Sequence, residues 1–478
     1  MTIITVMVLL GIGSIIWFLS RSSRPATTES FLVSNRNIPF FLGTMTVLAT
    51  WTQAFALVVG ATFAYQSEWN FIWFIVPNVC AVILLGVFAP MIQDAVPRGY
   101  TLPQVVEKTF GPNVRTVYSL SAFASLVYII ASTMTALQQW ISQQLHVAPW
   151  QISLVLGAFA FLWVIRRGLP AAVIGDVVKV TLIVAGLAGV IALHLYHSGT
   201  VFPKTTSAQA VTPGSAFWMM GVPLFVTLLA GALCNPDIGG RAYAIDRRTV
   251  RRAYFCAAGL FAVIVGTYGS LGFLARNLGL NLSNTQPPAL AILQATVPVW
   301  FVLIVTLALV VILAAALASM FASAGDLATI EIYRRFVNPG ASDVETVRWS
   351  RIFMVLTVLL GTIISAFNLD LSLLIQSAAV IRGETVIPLF LALFWPRHQL
   401  NRAVFWGMIA GVIGGVMCTF GANIWEGVFH EKMSFLLING RPLGALIAFF
   451  TPLVFYIVAL MRQMRNDNRS GTPEAVRR

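Results

Sequence analysis

Charge is scarce in this 478-residue chain: only 10% of its residues are Asp, Glu, Lys or Arg. Soluble globular domains carry about 25% charged residues, so a water-soluble fold is excluded. Cysteine and histidine are scarce too, with 4 and 5 copies. Cys80, Cys234, Cys256 and Cys418 fall in or beside apolar runs with no metal-ligand spacing and read as small packing residues. His146, His194, His197, His398 and His430 lie at or near the ends of such runs, and no His/Cys/carboxylate set has metal spacing. Neither a GxxxxGK phosphate loop nor a GxSxG nucleophile turn is present. An ATP-driven pump or a membrane hydrolase would need one of these. The chain therefore reads as a non-enzyme without metal or cofactor. No segment has room for a soluble domain, so a signalling module would sit on another chain.

What is abundant is hydrocarbon. Hydrophobic residues make up 58% of the chain, and the mean hydropathy is +0.84. Apolar runs recur along the whole length, each long enough to cross a hydrocarbon core of ~30 Å as a helix. They are continuous rather than alternating, which excludes a transmembrane barrel. Thirteen spans are expected, at roughly 2–20, 38–65, 71–93, 116–140, 149–165, 170–196, 214–234, 253–275, 296–324, 350–367, 371–395, 403–424 and 442–461. The fold class is an all-α polytopic membrane protein. The first run lacks a basic leader and is followed by RSSR, so it reads as a retained helix rather than a signal peptide.

The net charge of +13 is a signal of topology. With the N-terminus outside, arginines crowd the inward loops, as at Arg241, Arg247, Arg248, Arg251 and Arg252, and the C-terminal tail. The outward loops hold only Lys204, Arg276, Lys432 and Arg441. The positive-inside rule then sets an N-out, C-in orientation in the plasma (inner) membrane. The basic residues face lipid headgroups and cytosol, and no nucleic-acid partner is implied. Lys179 and Arg382 are the basic residues left within spans.

Two spans are interrupted. The second carries TWTQAFALVVG, with Thr50, Thr52 and Gln53 at mid-depth. The seventh ends in CNPDIGGRAYAIDRR, where Pro236 followed by Gly239 and Gly240 is expected to terminate or unwind the helix, making a gate with Asp237. Broken helices in corresponding positions of two halves point to a transporter site. Spans 2–6 and 7–11 would form the halves.

Charges at mid-membrane are costly and mark pathways by default. Asp176 and Lys179 are i, i+3 on one helix face and within reach of each other. They read either as a cation or proton site or as a structural ion pair fastening span 6. Arg382 and Glu384 are i, i+2 and point apart on a helix unless Gly383 loosens the turn. Arg382 could grip a substrate carboxylate or neutralise an acid from another helix, such as Asp176. Asp326 and Glu331 precede Arg334 and Arg335 and read as a solvated interfacial cluster, and Asp237 reads as a loop cap at a helix end.

Several segments together resemble the sodium:solute symporter family, whose members take up sugars, proline, pantothenate, urea and similar solutes. VIRRGLPAAVIGDVVKV is similar to the family's GG-x-x-A-V-x-x-T-D-x-x-Q stretch; Gly168 and Asp176 match, while Arg167, Gly175 and Lys179 depart. CNPDIGGRAYAIDRRTVRRA resembles the Q-P-H-x-x-x-R-x-x-A run through Pro236 and Arg241. LAAALASMFASAGDLATIEIYRRF resembles the long helix ending in D-I-Y, with Glu331 in place of the aspartate, and ESFLVSNRNIPFFLG resembles the approach to the first core helix. Within the family, TWTQAFALVVGATFAYQSEWNFIW and VPRGYTLPQVVEKTFG are most similar to urea-type members.

The resemblance implies a LeuT-type core of inverted five-helix repeats working by alternating access around a midplane site. The chain then divides into a first peripheral helix with its loop (1–37), repeats at 38–196 and 197–395, two C-terminal helices (396–461) and a cytoplasmic tail (462–478). It also implies a sodium site between the first and eighth core helices, built from carbonyls of the first, here at Ala49 and Thr52, and two adjacent hydroxyls on the eighth. Those hydroxyl positions are Ala315 and Ala316, which offer no oxygen to a hard cation, with Ser319 one turn on. The Lys179 ammonium is expected in or beside that place, countered by Asp176, much as a lysine serves proton-coupled relatives in the wider amino-acid transporter superfamily. Losing its proton once per cycle would couple transport to protons. Trp51, Gln53, Arg382 and Glu384 would line the solute path. Two other readings stay open: a sodium symporter with altered ligands, and a transporter-derived sensor subunit. A small polar solute and a coupling cation, H+ ahead of Na+, are the expected partners; Arg382 suggests a carboxylate while the second span suggests urea. The oligomeric state is not legible.

Overall fold

The computed structural model describes residues 27–52, 54–145, 148–198, 214, 217–282, 286–367, 378–395, 400–429 and 434–470. These are nearly all helical. In lipid every backbone N–H and C=O must be bonded within its own segment, and continuous apolar runs meet that demand as helices. Nine described helices are long and apolar enough to cross a membrane, and the pair Phe40–Trp51 and Ala56–Ser67, bent by 51°, makes a tenth if taken as one span. The first expected span, 2–20, and its reading as a retained helix lie outside the described residues, as do residues 371–377 of the eleventh.

The elements run in chain order. A short helix α1 (Thr28–Val33) precedes the broken pair α2 (Phe40–Trp51) and α3 (Ala54–Ser67). Then come α4 (Ile72–Ala95), α5 (Pro103–Leu145), α6 (Pro149–Val164) and α7 (Leu169–Ser198). The second broken pair is α8 (Val222–Cys234) and α9 (Pro236–Ala244), followed by α10 (Val250–Asn277), α11 (Pro288–Thr296), α12 (Val299–Ala328) and α13 (Asp343–Ser365). A tight turn, Gly383–Thr385, leads into α14 (Val386–Phe394), and α15 (Asn401–Phe429) and α16 (Ser434–Ser470) complete the bundle. The α13 helix starts earlier than expected because Ser342 and Glu345 form a capping box around its first turn.

The second break departs from expectation. Gly239 and Gly240 do not unwind the chain; both lie inside α9. The interruption is at Asn235, whose backbone is extended (φ −69°, ψ 123°), and Pro236 opens the next helix, where its missing N–H costs nothing. Gly239 serves packing instead: a Cβ there would lie 2.4 Å from Leu102 Cδ1.

The two broken spans run antiparallel. Ile38, at the start of α2, donates its N–H to Ala244 O at 3.1 Å and accepts from Asp246 N at 3.0 Å, just beyond the end of α9. The parallel bridge Ile38–Ile245 thus joins the beginning of one interrupted helix to the end of the other, as two inverted halves require. Around this pair the bundle closes tightly. A Cβ on Gly272 of α10 would come within 2.2 Å of Ala61 O on α3, so those two helices meet backbone to backbone.

Candidate solute and coupling site

The break between α2 and α3 frees backbone groups. Thr52 leaves the helical region (φ −78°, ψ 67°), and the carbonyls of the last turn lose their continuing partners. Lys179 of α7, fully buried, donates its ammonium to one of them, Ala49 O, at 2.5 Å. The ammonium thus lies against the first core helix. It forms no ion pair with Asp176: among the described residues, the ion pair of Asp176 is with Arg241.

Arg241 is the hub that the sequence reading missed. From α9 it reaches Asp176 Oδ2 at 3.2 Å and Asp237 Oδ1 at 3.0 Å, and it donates to Ser319 Oγ at 2.5 Å and Thr46 Oγ1 at 3.3 Å. Thr46 donates in turn to Asp176 Oδ2 at 2.5 Å, and Ser319 and Ser323 donate to Asp237 Oδ1 at 2.8 and 3.3 Å. All of these side chains are buried. Asp237 is therefore no loop cap; its carboxylate is half of a buried double ion pair. The residues Asp176, Asp237, Arg241 and Lys179 bring two formal charges of each sign into one place, from α7 and α9, with α2 and α12 supplying hydroxyls. The i, i+4 spacing of Asp237 and Arg241 after a proline was the available signal. Ala315 and Ala316 are buried in α12, one turn before Ser319.

A second buried cluster also differs from expectation. Glu331 is 3% exposed and is no part of a solvated patch. It pairs with Arg115 Nε at 2.7 Å and accepts from Thr101 at 2.6 Å and Ser119 at 2.9 Å, tying Thr329–Val337, which continues α12, to α5 and the turn before it. Asp326 accepts from Ser350 at 3.1 Å.

Beside the breaks lies a cavity of about 50 Å³, lined by Trp51, Asn78, Tyr128, Ser132, Asn235 and Arg382 among others. Trp51 Nε1, the Tyr128 hydroxyl and Arg382 Nε are buried without a hydrogen-bond partner among the described residues. Buried polar groups are normally paired, so three such groups on one cavity mark a place built for a polar ligand. Arg382 has no acid partner among the described residues: Nη1 donates to Ser125 Oγ at 3.2 Å, and Ser125 donates to Asn235 Oδ1 at 2.6 Å. It does not neutralise Asp176. The guanidinium fits because residue 231 is glycine, where a Cβ would lie 3.1 Å from Arg382 Cζ. Asn78 donates to Phe74 O at 2.6 Å, which leaves its side-chain oxygen available. The sequence reading found Trp51 and Arg382. It missed Asn78, a lone amide beside Pro77 in an apolar span, and the i, i+4 pair Tyr128 and Ser132. Gln53 lies outside the described residues, Thr52 is buried with an unpartnered hydroxyl, and Glu384 is buried off the cavity.

The model of the sodium:solute symporter family matches residues 31–411. The chain belongs to this family. Among curated relatives, the "Probable urea active transporter 3" of Schizosaccharomyces pombe is 23% identical, over 90% of this chain and 71% of its own length. A urea–proton symporter of Oryza sativa subsp. japonica is 22% identical over 84% of this chain, which spans 60% of that protein. A sodium/glucose cotransporter of Vibrio parahaemolyticus is 19% identical over 98% of this chain and 91% of its own. In fold, the symporter is similar to a Na+-coupled sialic acid symporter in a substrate-bound outward-open state (TM-score 0.72, 15% identity, 94% of this chain and 98% of that one). It is also similar to a nucleobase-cation-symport-1 family transporter (TM-score 0.54, 13% identity, 92% and 96%). These likenesses carry the LeuT-type fold. The protein is a multi-pass secondary active symporter for a small solute and a coupling cation, not an enzyme.

Proposed function

We propose that this symporter moves a small, planar amide of urea's size and polarity, with protons rather than sodium as the coupling ion. The observation that carries the solute reading is the small cavity with three unpaired polar groups. Trp51 Nε1 and Arg382 offer donors to a carbonyl oxygen, while Asn78 presents its oxygen to an amide N–H group. The relatives named for urea support the same reading, which departs from the carboxylate that Arg382 alone suggests.

The coupling reading rests on Lys179. Its ammonium holds the Ala49 carbonyl at the helix break, where a mobile cation would otherwise serve, and Ala315 and Ala316 offer that cation no side-chain oxygen. Asp176 contributes through Arg241 rather than by direct contact. Release of the Lys179 proton would loosen the broken end of α2 and let the break at Asn235 and Pro236 shift against it. The symporter would act in the plasma (inner) membrane with the N-terminus outside, and the repeats at 38–196 and 197–395 would rock about this point.

Reconstituted protein should accumulate labelled urea when an inward proton gradient is imposed, in sodium-free buffer. Purified wild type should gain no thermal stability from sodium over an inert organic cation, while its melting should respond to pH, and Lys179→Ala should lose that response. A selective rise in melting temperature with sodium would establish sodium symport through rebuilt ligands, since a ligand of the folded state raises apparent stability.

A further inference from the structure

Glu384 is a buried acid that neither the cavity nor the Lys179 site uses. It is fully buried; Oε1 accepts from Ser121 at 2.5 Å, and Oε2 has no partner among the described residues. No Lys, Arg or His nitrogen lies within 4.0 Å of it among the described residues. Its other described neighbours carry no positive charge. On α5, Tyr118 donates its hydroxyl to Leu233 O, and on α8 the neighbouring titratable group is Cys234. The C-terminal helices approach through Gly411, where a Cβ would lie 3.5 Å from Glu384 Cβ and 3.0 Å from Ala448 O. Two residues back stands Arg382, also buried and also without a counter-ion among the described residues. Ser121 and Ser125, i and i+4 on α5, hold the two apart, one serine each.

We propose that Glu384 binds a transported proton, and that this proton and the Arg382 guanidinium compete for its carboxylate, so that protonation delivers Arg382 to the solute cavity. A bare carboxylate in a dry, apolar place needs a cation or a proton. In the present arrangement the guanidinium faces the cavity, so the proton is on Glu384: an O–H bond to one carboxyl oxygen, with Arg382 balancing no charge. When that proton leaves as H+ to water, the ionised carboxylate attracts the nearest cation. Arg382 is able to answer because its backbone is already non-helical (φ −136°, ψ −9°) and Gly383 follows it. Swinging to Glu384 removes the guanidinium from Ser125 and from the cavity. Solute and proton therefore favour each other's binding, and the coupling is reciprocal. The tie to solute rests on the reading of the cavity above; the proton site does not.

Two measurements separate them. Infrared difference spectra of the purified protein should show a protonated-carboxyl C=O band at neutral pH that is lost on alkalinisation and absent in Glu384→Gln, a substitution that keeps the acceptor for Ser121. In Arg382→Gln the pH of loss should rise by at least one unit, because the ionised acid no longer gains its cation. A wild-type band that survives in Glu384→Gln, or a midpoint unmoved by Arg382→Gln, would overturn the proposal whatever the solute is. In proteoliposomes, gradient-driven accumulation of labelled urea should fall at least tenfold in Glu384→Gln. Undiminished accumulation in Glu384→Gln would assign the transported proton elsewhere and sink the idea. Failure of wild type to carry urea, with the infrared results as expected, would refute the solute reading alone.

Discussion

Two sets of buried charges lie near the broken helices, and they are built on opposite plans. Around Arg241 nearly every charged atom has a partner: Asp176 and Asp237 bracket the guanidinium, three hydroxyls add to the shell, Lys179 rests on a helix-end carbonyl, and Asp176 Oδ1 alone is unbonded among the described residues. Around Arg382 and Glu384 almost nothing is paired, and each charged group leans on a single serine. Removing one member of a satisfied network exposes another, so such a network locks a geometry. An unsatisfied pair holds its geometry only while a proton or a ligand makes up the deficit. The Arg241 set thus reads as a clasp, with Lys179 as its releasable edge, and the second set as a switch.

The sharpest way to break the contrast is Arg241→Ala, which strands two buried carboxylates. A stability loss of about 3–5 kcal/mol is expected from removing one partner of a buried pair, read as a collapse of folded yield and melting temperature in detergent. Asp176→Asn combined with Asp237→Asn in the same background should recover much of it. Lys179→Ala comes next. It leaves the Ala49 carbonyl unbonded, at a cost of about 1–3 kcal/mol, by the same thermal assay. In the switch the pattern should invert: Gly231→Ala should leave stability within about 1 kcal/mol but crowd the Arg382 guanidinium and weaken solute binding about tenfold, equivalent to about 1.4 kcal/mol. The mildest probe lies outside both sets. Arg247 and Asp94 pair at 2.7 Å but are 52% and 64% exposed, so Arg247→Ala should change stability by no more than about 1 kcal/mol.

The sequence carried the membrane class, the antiparallel broken helices and the unusual Lys179 because each follows from composition or from a local breach of an apolar pattern. It misassigned what depends on long-range geometry. Asp176 and Lys179 are close in sequence, yet Asp176 pairs with Arg241, 65 positions away, because α9 turns that arginine inward. Glu331 looks solvated beside Arg334 and Arg335, but the chain folds it under Arg115. The cavity was half legible, since Trp51 and Arg382 breach their surroundings while Tyr128 and Ser132 look like ordinary interior residues of a long helix. Gly239 and Gly240 misled because a glycine pair weakens a helix in isolation, whereas here one of them admits Leu102.

The small bridge between Ile38 and Ile245 has a mechanical consequence. It pins the root of one interrupted helix to the tip of the other, so on that side of the bundle the two cannot part without breaking backbone bonds. Each becomes a lever with a shared fulcrum, free only beyond its own break. Any opening between them must therefore come on the other side of the bridge, towards Trp51 and Asn235.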